Sequence, residues 1–173
     1  MGKIVYSVAM SLDGYLAGPN GEIDWIAMDP EIDFAGMLAR FDTILMGRRT
    51  FEATQALGGS MPGVKTVVVS RTLQQKDHQD LMVIGDDLGR TVTKLRTDSG
   101  KDIWLFGGGS LFRSLLSLRL VDTIEVAVIP VLLGAGIPLV PTRSERTSLR
   151  LVSTRVYKAT GTVGLAYAVA PAA

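Results

Sequence analysis

Three turns in this sequence bring together residue types suited to holding phosphate. The first is Met46-Gly47-Arg48-Arg49-Thr50-Phe51-Glu52. Gly47, after an apolar run, lets a ligand approach the backbone closely, and the residues behind it open a short helix whose free N–H groups attract anions. Arg48 and Arg49 add fixed positive charge in a fork geometry matched to phosphate oxygens. A solvated helix start with incidental arginines would carry the same letters. The second turn is Val69-Ser70-Arg71, a hydroxyl followed by a guanidinium. It suits the 2′-phosphate of an NADP-type cofactor, or an ordinary turn. The third is Phe106-Gly107-Gly108-Gly109-Ser110-Leu111-Phe112. Its glycines open backbone conformations closed to other residues and lead into a helix N-terminus where a pyrophosphate can sit. Three in a row cost folding entropy, and a plain turn does not need them all. This is not the dinucleotide fingerprint of the Rossmann fold, which sets its glycines in the first βα turn.

Other chemistry is narrowed by what the chain lacks. With no cysteine there is no disulfide, no thiolate metal site and no thiol nucleophile. The single histidine, His78, lies in the polar run Gln74-Gln75-Lys76-Asp77-His78-Gln79-Asp80 without metal-ligating companions. It reads as solvated, and no metal is expected. Eighteen basic against seventeen acidic residues leave a net charge of +1, so no general field for nucleic acid or membrane is expected. Met1-Gly2-Lys3 runs directly into an apolar stretch that ends at Asp13-Gly14 without a cleavage site, and no apolar run reaches the ~18 residues of a span. The expectation is a cytoplasmic protein.

Positioning the three turns requires an alternation of strands and helices. Strand-like runs fall at Ile4–Ser11, Asp42–Met46, Lys65–Ser70, Leu81–Ile84, Asp102–Phe106 and Asp122–Leu133. Ser148–Lys158 and Thr162–Val169 flank a hairpin turn at Ala159-Thr160-Gly161. Phe34, Met37, Leu38 and Phe41 lie at i, i+3, i+4 and i+7, one face of a helix opening near Pro30. Leu88, Val92 and Leu95 follow the capping pair Asp86-Asp87, and Phe112, Leu115, Leu116 and Arg119 form the last long helix. Runs such as Thr66–Val69 and Ile103–Phe106 are apolar on both faces, as central strands covered on each side must be. The whole predicts one α/β domain over residues 1–173, a mostly parallel sheet finished by an antiparallel C-terminal hairpin and a short Ala-Pro-Ala-Ala tail. In such sheets ligands bind beyond the carboxyl ends of the strands, where the three turns lie.

In order and spacing these motifs resemble the dihydrofolate reductase-like superfamily, in particular the reductase domain of the riboflavin-biosynthesis deaminase-reductases (RibD C-terminal type). The likeness starts at Ser7-Val8-Ala9-Met10-Ser11-Leu12-Asp13-Gly14-Tyr15-Leu16-Ala17 and takes in all three turns. It ends with Asp122-Thr123-Ile124-Glu125 and Ile129-Pro130-Val131-Leu132-Leu133-Gly134-Ala135-Gly136-Ile137-Pro138-Leu139. The resemblance implies a twisted sheet of about eight strands with flanking helices, and NADPH as hydride donor. It assigns Arg48, Arg49, Ser70 and Arg71 to the 2′-phosphate region. Thr50 and the turn Gly107, Gly108, Gly109, Ser110, Leu111 go to the pyrophosphate, with a cis peptide between Gly107 and Gly108. It sets the Ala9 backbone and the Asp13–Ala17 loop, Leu16 included, beside the nicotinamide. It also implies a homodimer.

For the substrate, the run Pro130–Gly136 resembles the riboflavin-type reductases and not the folate enzymes. Folate enzymes set a carboxylate on the first helix, and Asp33 is the nearest counterpart here. It is the candidate catalytic group, or it serves only the helix N-terminal dipole. Glu31 and Asp29 compete for either role. Where folate enzymes set a hydroxyl on the strand facing that carboxylate, this chain has Ala127. Without zinc-ligating cysteines it is not the deaminase of such pathways. Trp25 is either a cover over the nicotinamide or a core aromatic. The expectation is an NADPH-dependent reductase of a small heterocyclic or imine-like substrate; the alternatives are a dihydrofolate reductase proper and a non-catalytic NADP-binding domain.

Overall fold

The structure is a computed structural model that describes residues 1–59, 61–142 and 146–170; the last three residues of the Ala-Pro-Ala-Ala tail lie outside them. Its strands are β1 (Ile4–Ser11), β2 (Tyr15–Ala17), β3 (Phe41–Gly47), β4 (Lys65–Val69), β5 (Met82–Ile84), β6 (Asp102–Gly107), β7 (Thr123–Ile129), β8 (Ile137–Pro138), β9 (Leu149–Tyr157) and β10 (Thr162–Val169). Its helices are α1 (Phe34–Leu38), α2 (Arg48–Ala56), α3 (Leu88–Asp98) and α4 (Gly109–Ser117). Eight strands form one sheet in the order β5-β4-β3-β6-β1-β7-β10-β9, and β2 pairs with β8 apart from it. Neighbours from β5 to β7 run parallel; β10 is antiparallel to both β7 and β9. The expected sheet is therefore present, mostly parallel with an antiparallel C-terminal pair.

Alternation along the central strands builds two cores. Ile4, Tyr6, Leu45, Val67, Ile103 and Leu105 face one side and pack with Val92, Leu95, Phe112 and Leu115 of α3 and α4. Val5, Ile44, Met46, Val68 and Trp104 face the other, with Phe51 of α2 and Phe41. Each fully buried aliphatic side chain of this kind stabilises the fold by about 1.5–3 kcal/mol, so the strands carrying the phosphate-type turns are the most firmly held part of the molecule.

Several boundaries differ from the sequence reading. The helix expected from Pro30 to Phe41 is only α1, and Phe41 opens β3 instead. There its ring is buried and stacks on Trp104 at 5.6 Å, and its backbone is in register with Asp102 of β6. Sheet pairing overrides the local 3.6-residue spacing at that position. Arg119 lies beyond α4 with φ 59°, so the helix stops before it. The strand expected to reach Leu133 ends at Ile129, because Pro130 has no N–H to continue a ladder. Neither β2 nor β8 shows in the sequence pattern; both are too short for alternation to register.

Candidate functional site

The carboxyl ends of β1, β3, β4 and β6 open on one rim, and the three turns meet there. Gly47 is the N-cap of α2 and Gly108 that of α4; both are extended, and neither helix has a side-chain cap bond or an acidic residue in its first turn. The two N-termini are adjacent: the nearest heavy atom to a Cβ built on Gly108 would be Thr50 Oγ1, at 3.4 Å. The Gly107–Gly108 peptide is cis, as the resemblance implies, and Gly107 has φ 147°. A Cβ on Gly109 would press on the Pro138 carbonyl and the Pro141 ring, both at 2.9 Å, so only glycine seats the first turn of α4 there. Ser110 is exposed, while the Leu111 side chain is in the core, leaving its backbone amide for the rim.

The basic groups lie round this rim. Arg48 and Arg49 are exposed on the first turn of α2, and Arg48 reaches Glu52 at 3.2 Å. At the end of β4 the buried Ser70 Oγ accepts from the amides of Thr72 (3.1 Å) and Leu73 (3.0 Å), folding the turn that exposes Arg71. Ser70 thus shapes the turn as well as standing in it.

On the other flank the sheet parts. The β1–β6 ladder stops at Tyr6 and Leu105, whereas β1–β7 runs on to Ser11 and Ile129. In the gap the Trp104 Nε1–H donates to the Ser7 carbonyl at 2.9 Å, and Ala9 follows just beyond. The loop after β1 is held by Asp13. Its carboxylate accepts from Ser11 Oγ (2.7 Å) and from the amides of Leu133 (3.1 Å) and Gly134 (2.7 Å). These bonds, the Ser11 hydroxyl first, hold its pKa below the ordinary carboxylate value. A Cβ on Gly136 would collide with the Ala17 carbonyl oxygen, so β8 can lie against β2 only with glycine there. Leu16 is half-buried in that small sheet.

Beyond Ala9, the sheet face opposite α3 and α4 is lined by Ser7, Ala9, Glu125, Ala127, Gly164 and Ala166, and charged groups mark its ends. Arg40 donates twice to Glu125, at 2.7 and 3.0 Å, and this pair holds the guanidinium above its ordinary pKa. Nothing local in the sequence announces a contact between residues 85 positions apart. Asp29 is almost fully buried. Its oxygens accept from the Glu31 amide (2.9 Å) and from the Thr160 amide and hydroxyl (3.0 and 2.9 Å), so it ties the segment before α1 to the C-terminal hairpin. Asp33 is exposed at the N-cap of α1, where its Oδ1 accepts from Gly36 N at 2.8 Å. Ala127 is in register with Ala9, and Glu125 with Ser7. Trp25 belongs to neither core cluster; it is half-buried and donates to the Glu22 carbonyl at 3.0 Å. His78 is not a freely solvated residue, for its ring meets Phe51 edge-on at 5.9 Å. A cavity of about 530 Å³ lies beside it, lined by Ile44, Met46, Phe51, Thr54 and Met61 but not by Gly47, Arg48, Arg49, Thr50, Ser70, Arg71 or the Gly107–Leu111 turn.

Comparison with known proteins agrees with this fold. Residues 2–162 match the family model of the RibD C-terminal domain. The uncharacterized protein YyaP of Bacillus subtilis (strain 168) is 36% identical over 178 residues, covering 95% of this chain and 94% of its own. A putative riboflavin biosynthesis protein from Shewanella sp. PV-4 superposes with a TM-score of 0.84 at 24% identity, over 99% of this chain and all of that one. Dihydrofolate reductase from Enterococcus faecalis, solved in complex with NADP(H), gives 0.68 at 15% identity, over 98% and 97%. At these identities the two structures speak for the fold.

Proposed function

This chain belongs to the RibD C-terminal domain family, and from that premise we propose that it is an NADPH-dependent reductase delivering hydride to a small heterocyclic or imine-like acceptor. The observation that carries the reading is the pair of uncapped helix N-termini, α2 and α4, brought together at Thr50 and Gly108 with arginines at the rim. Free amides at two converging helix ends are what a pyrophosphate requires, and the glycines leave the backbone open to it. The residues present therefore fit the cofactor.

In this reading Gly47, Thr50 and the Gly107–Leu111 turn hold the pyrophosphate, and Arg48, Arg49, Ser70 and Arg71 receive the 2′-phosphate. Ala9 and Leu16 border the nicotinamide. The cofactor supplies the hydride; the chain supplies orientation and a dry surface. The parting of β1 from β6 gives a planar ring access to the strand edge, and the Asp13 contacts keep the flanking loop in place. Asp33 caps α1 through one carboxylate oxygen, Oδ1, which accepts from the Gly36 amide.

The test is thermal unfolding and titration with NADPH and NADH. NADPH at a hundredfold excess over its Kd raises stability by about 2.7 kcal/mol, and NADH by clearly less. Equal or absent effects would remove the cofactor assignment. Arg48 is the clean variant, since its pair with Glu52 is exposed and contributes at most about 1 kcal/mol to folding. Arg48→Ala is expected to weaken NADPH about tenfold or more and NADH little.

For assembly we propose a homodimer through the outer sheet face. Leu149, Leu151 and Val156 of the edge strand β9 are 43%, 50% and 61% exposed. With Thr154 they face the side of Leu165 and Val163 and present no charge. A two-fold contact sets a patch against its own copy, which an uncharged face tolerates. Light scattering should show a dimer that Val156→Glu dissociates; a monomer at all concentrations would refute it.

A further inference from the structure

The geometry points to Trp104 as a positioning residue for the nicotinamide half of the cofactor. Its indole N–H occupies the last β1 carbonyl before the gap and leaves the Ala9 backbone as the edge presented to the ring. This rests on the placement of the nicotinamide beside Ala9 proposed above. Carbonyls alternate in direction along a strand. Lys3 accepts from the Ile103 amide of β6 at 2.8 Å, whereas Ile4 accepts from the Asp122 amide, just ahead of β7, at 3.0 Å. Ser7 and Ala9, in phase with Lys3, therefore turn their backbone groups toward β6. Among the described residues, β6 pairs with none of β1 beyond Tyr6, so these two edges have no ladder to join. The Ser7 carbonyl is taken instead by the Trp104 side chain at 2.9 Å, and Ala9 is the first residue whose edge is left to a ligand.

Three elements hold the indole in this pose. It is buried, at 4% exposure. Phe41 stacks on it at 5.6 Å, and the rings of Phe106 and Phe34 meet it edge-on at 4.9 and 6.4 Å. Phe41 belongs to β3, Phe106 to β6 and Phe34 to α1. An aromatic ring packed in this way has little freedom to swing its N–H off the carbonyl. The Ser7 carbonyl is part-buried, and once its donor is lost it is satisfied again in one of two ways. Either β1 closes on β6, which narrows the gap, or water enters beside Ser7 and wets the surface on which a hydride would move. Both spoil the edge that Ala9 offers. Neither touches the bonds that shape the Ser70 turn, which are made within that turn.

The test compares NADPH with adenosine 2′,5′-bisphosphate, which lacks the nicotinamide, by calorimetry on the full chain. Trp104→Phe keeps an aromatic ring and removes the donor. It is expected to weaken NADPH about tenfold and to leave the bisphosphate unchanged. Phe41→Leu disturbs the same ring cluster without removing the N–H; it should lower the Tm and leave the ratio of the two affinities where it was. Hydrogen exchange of the parent gives a reading that needs no variant. The Trp104 indole N–H should exchange more slowly than that of Trp25, and the Ala9 amide should gain protection with NADPH but not with the bisphosphate. An unchanged affinity ratio in Trp104→Phe, an equal change of ratio in Phe41→Leu, or a Trp104 indole exchanging as fast as Trp25 would overturn the assignment. So would an Ala9 amide that both ligands protect alike. If neither ligand binds the parent, the cofactor reading falls and the role of Trp104 with it. If both bind and the ratio holds in Trp104→Phe, only the role of Trp104 falls.

Discussion

Tyr6 takes a hydroxyl into the interior, where it finds no hydrogen-bond partner among the described residues. Its ring stacks on Phe112 at 3.8 Å, and burial raises the phenol far above its ordinary pKa, so it stays neutral. The ring is a packing element and the oxygen a cost. Tyr6→Phe is therefore expected to be neutral or to stabilise by about 1 kcal/mol, read as the urea midpoint at constant m. Asp29 is the opposite case, a buried carboxylate with each oxygen occupied. The Glu31 amide is the chief cause that holds its pKa below 3.8, with Thr160 adding to it. A lowered folded-state pKa gives stability that is present above the unfolded value and lost as pH falls through the folded one. Asp29→Asn should thus lose stability at pH 7, by turning an amide N–H toward the Thr160 donors, and the gap to the parent should close below about pH 3.8. A gap that stayed constant from pH 7 to pH 2 would refute that origin.

Among the elements, legibility followed how local each cause is. The strand β1 and the three phosphate-type turns could be read because a strand end, a glycine and a helix start are neighbours in sequence. The cap on α3 was visible for the same reason, as Asp87 accepts from Arg90 N. Phe41 was misassigned because its fate is decided by Trp104 and β6, far along the chain. The Arg40–Glu125 pair, the Asp29 anchor and the small β2–β8 sheet left no local trace at all. What lines the sheet face between Ala9 and the C-terminal hairpin was therefore hidden, while the turns at the strand ends were open to reading. Gly136 tests the hidden part. Gly136→Ala should push β8 from β2, costing about 1–3 kcal/mol and loosening the seat of Leu16. Unchanged stability in denaturant unfolding would show that the two strands can separate freely.

At the scale of the molecule, α2 and α4 bring their N-termini to the same rim from opposite faces of the sheet. Their core-facing residues, Phe51 on one side and Phe112 on the other, belong to separate clusters. Ligand binding between the N-termini should therefore protect both layers together: amides of α2 and of α4 should slow in hydrogen exchange on NADPH addition. Protection confined to one helix would mean that the other does not take part.

The Asp13 carboxylate gives the molecule a further property. It joins the loop after β1 to the segment after β7 across 120 positions of sequence, and Leu139 N–H to Gly14 carbonyl at 2.9 Å adds a second tie. Mechanically the two segments are one part made from two distant stretches of chain. Grafting either stretch alone from a relative would leave half of that part without its mate. A chimera exchanging both should fold as the parent does, so any transplant of acceptor preference between members of this family has to be cut in pairs.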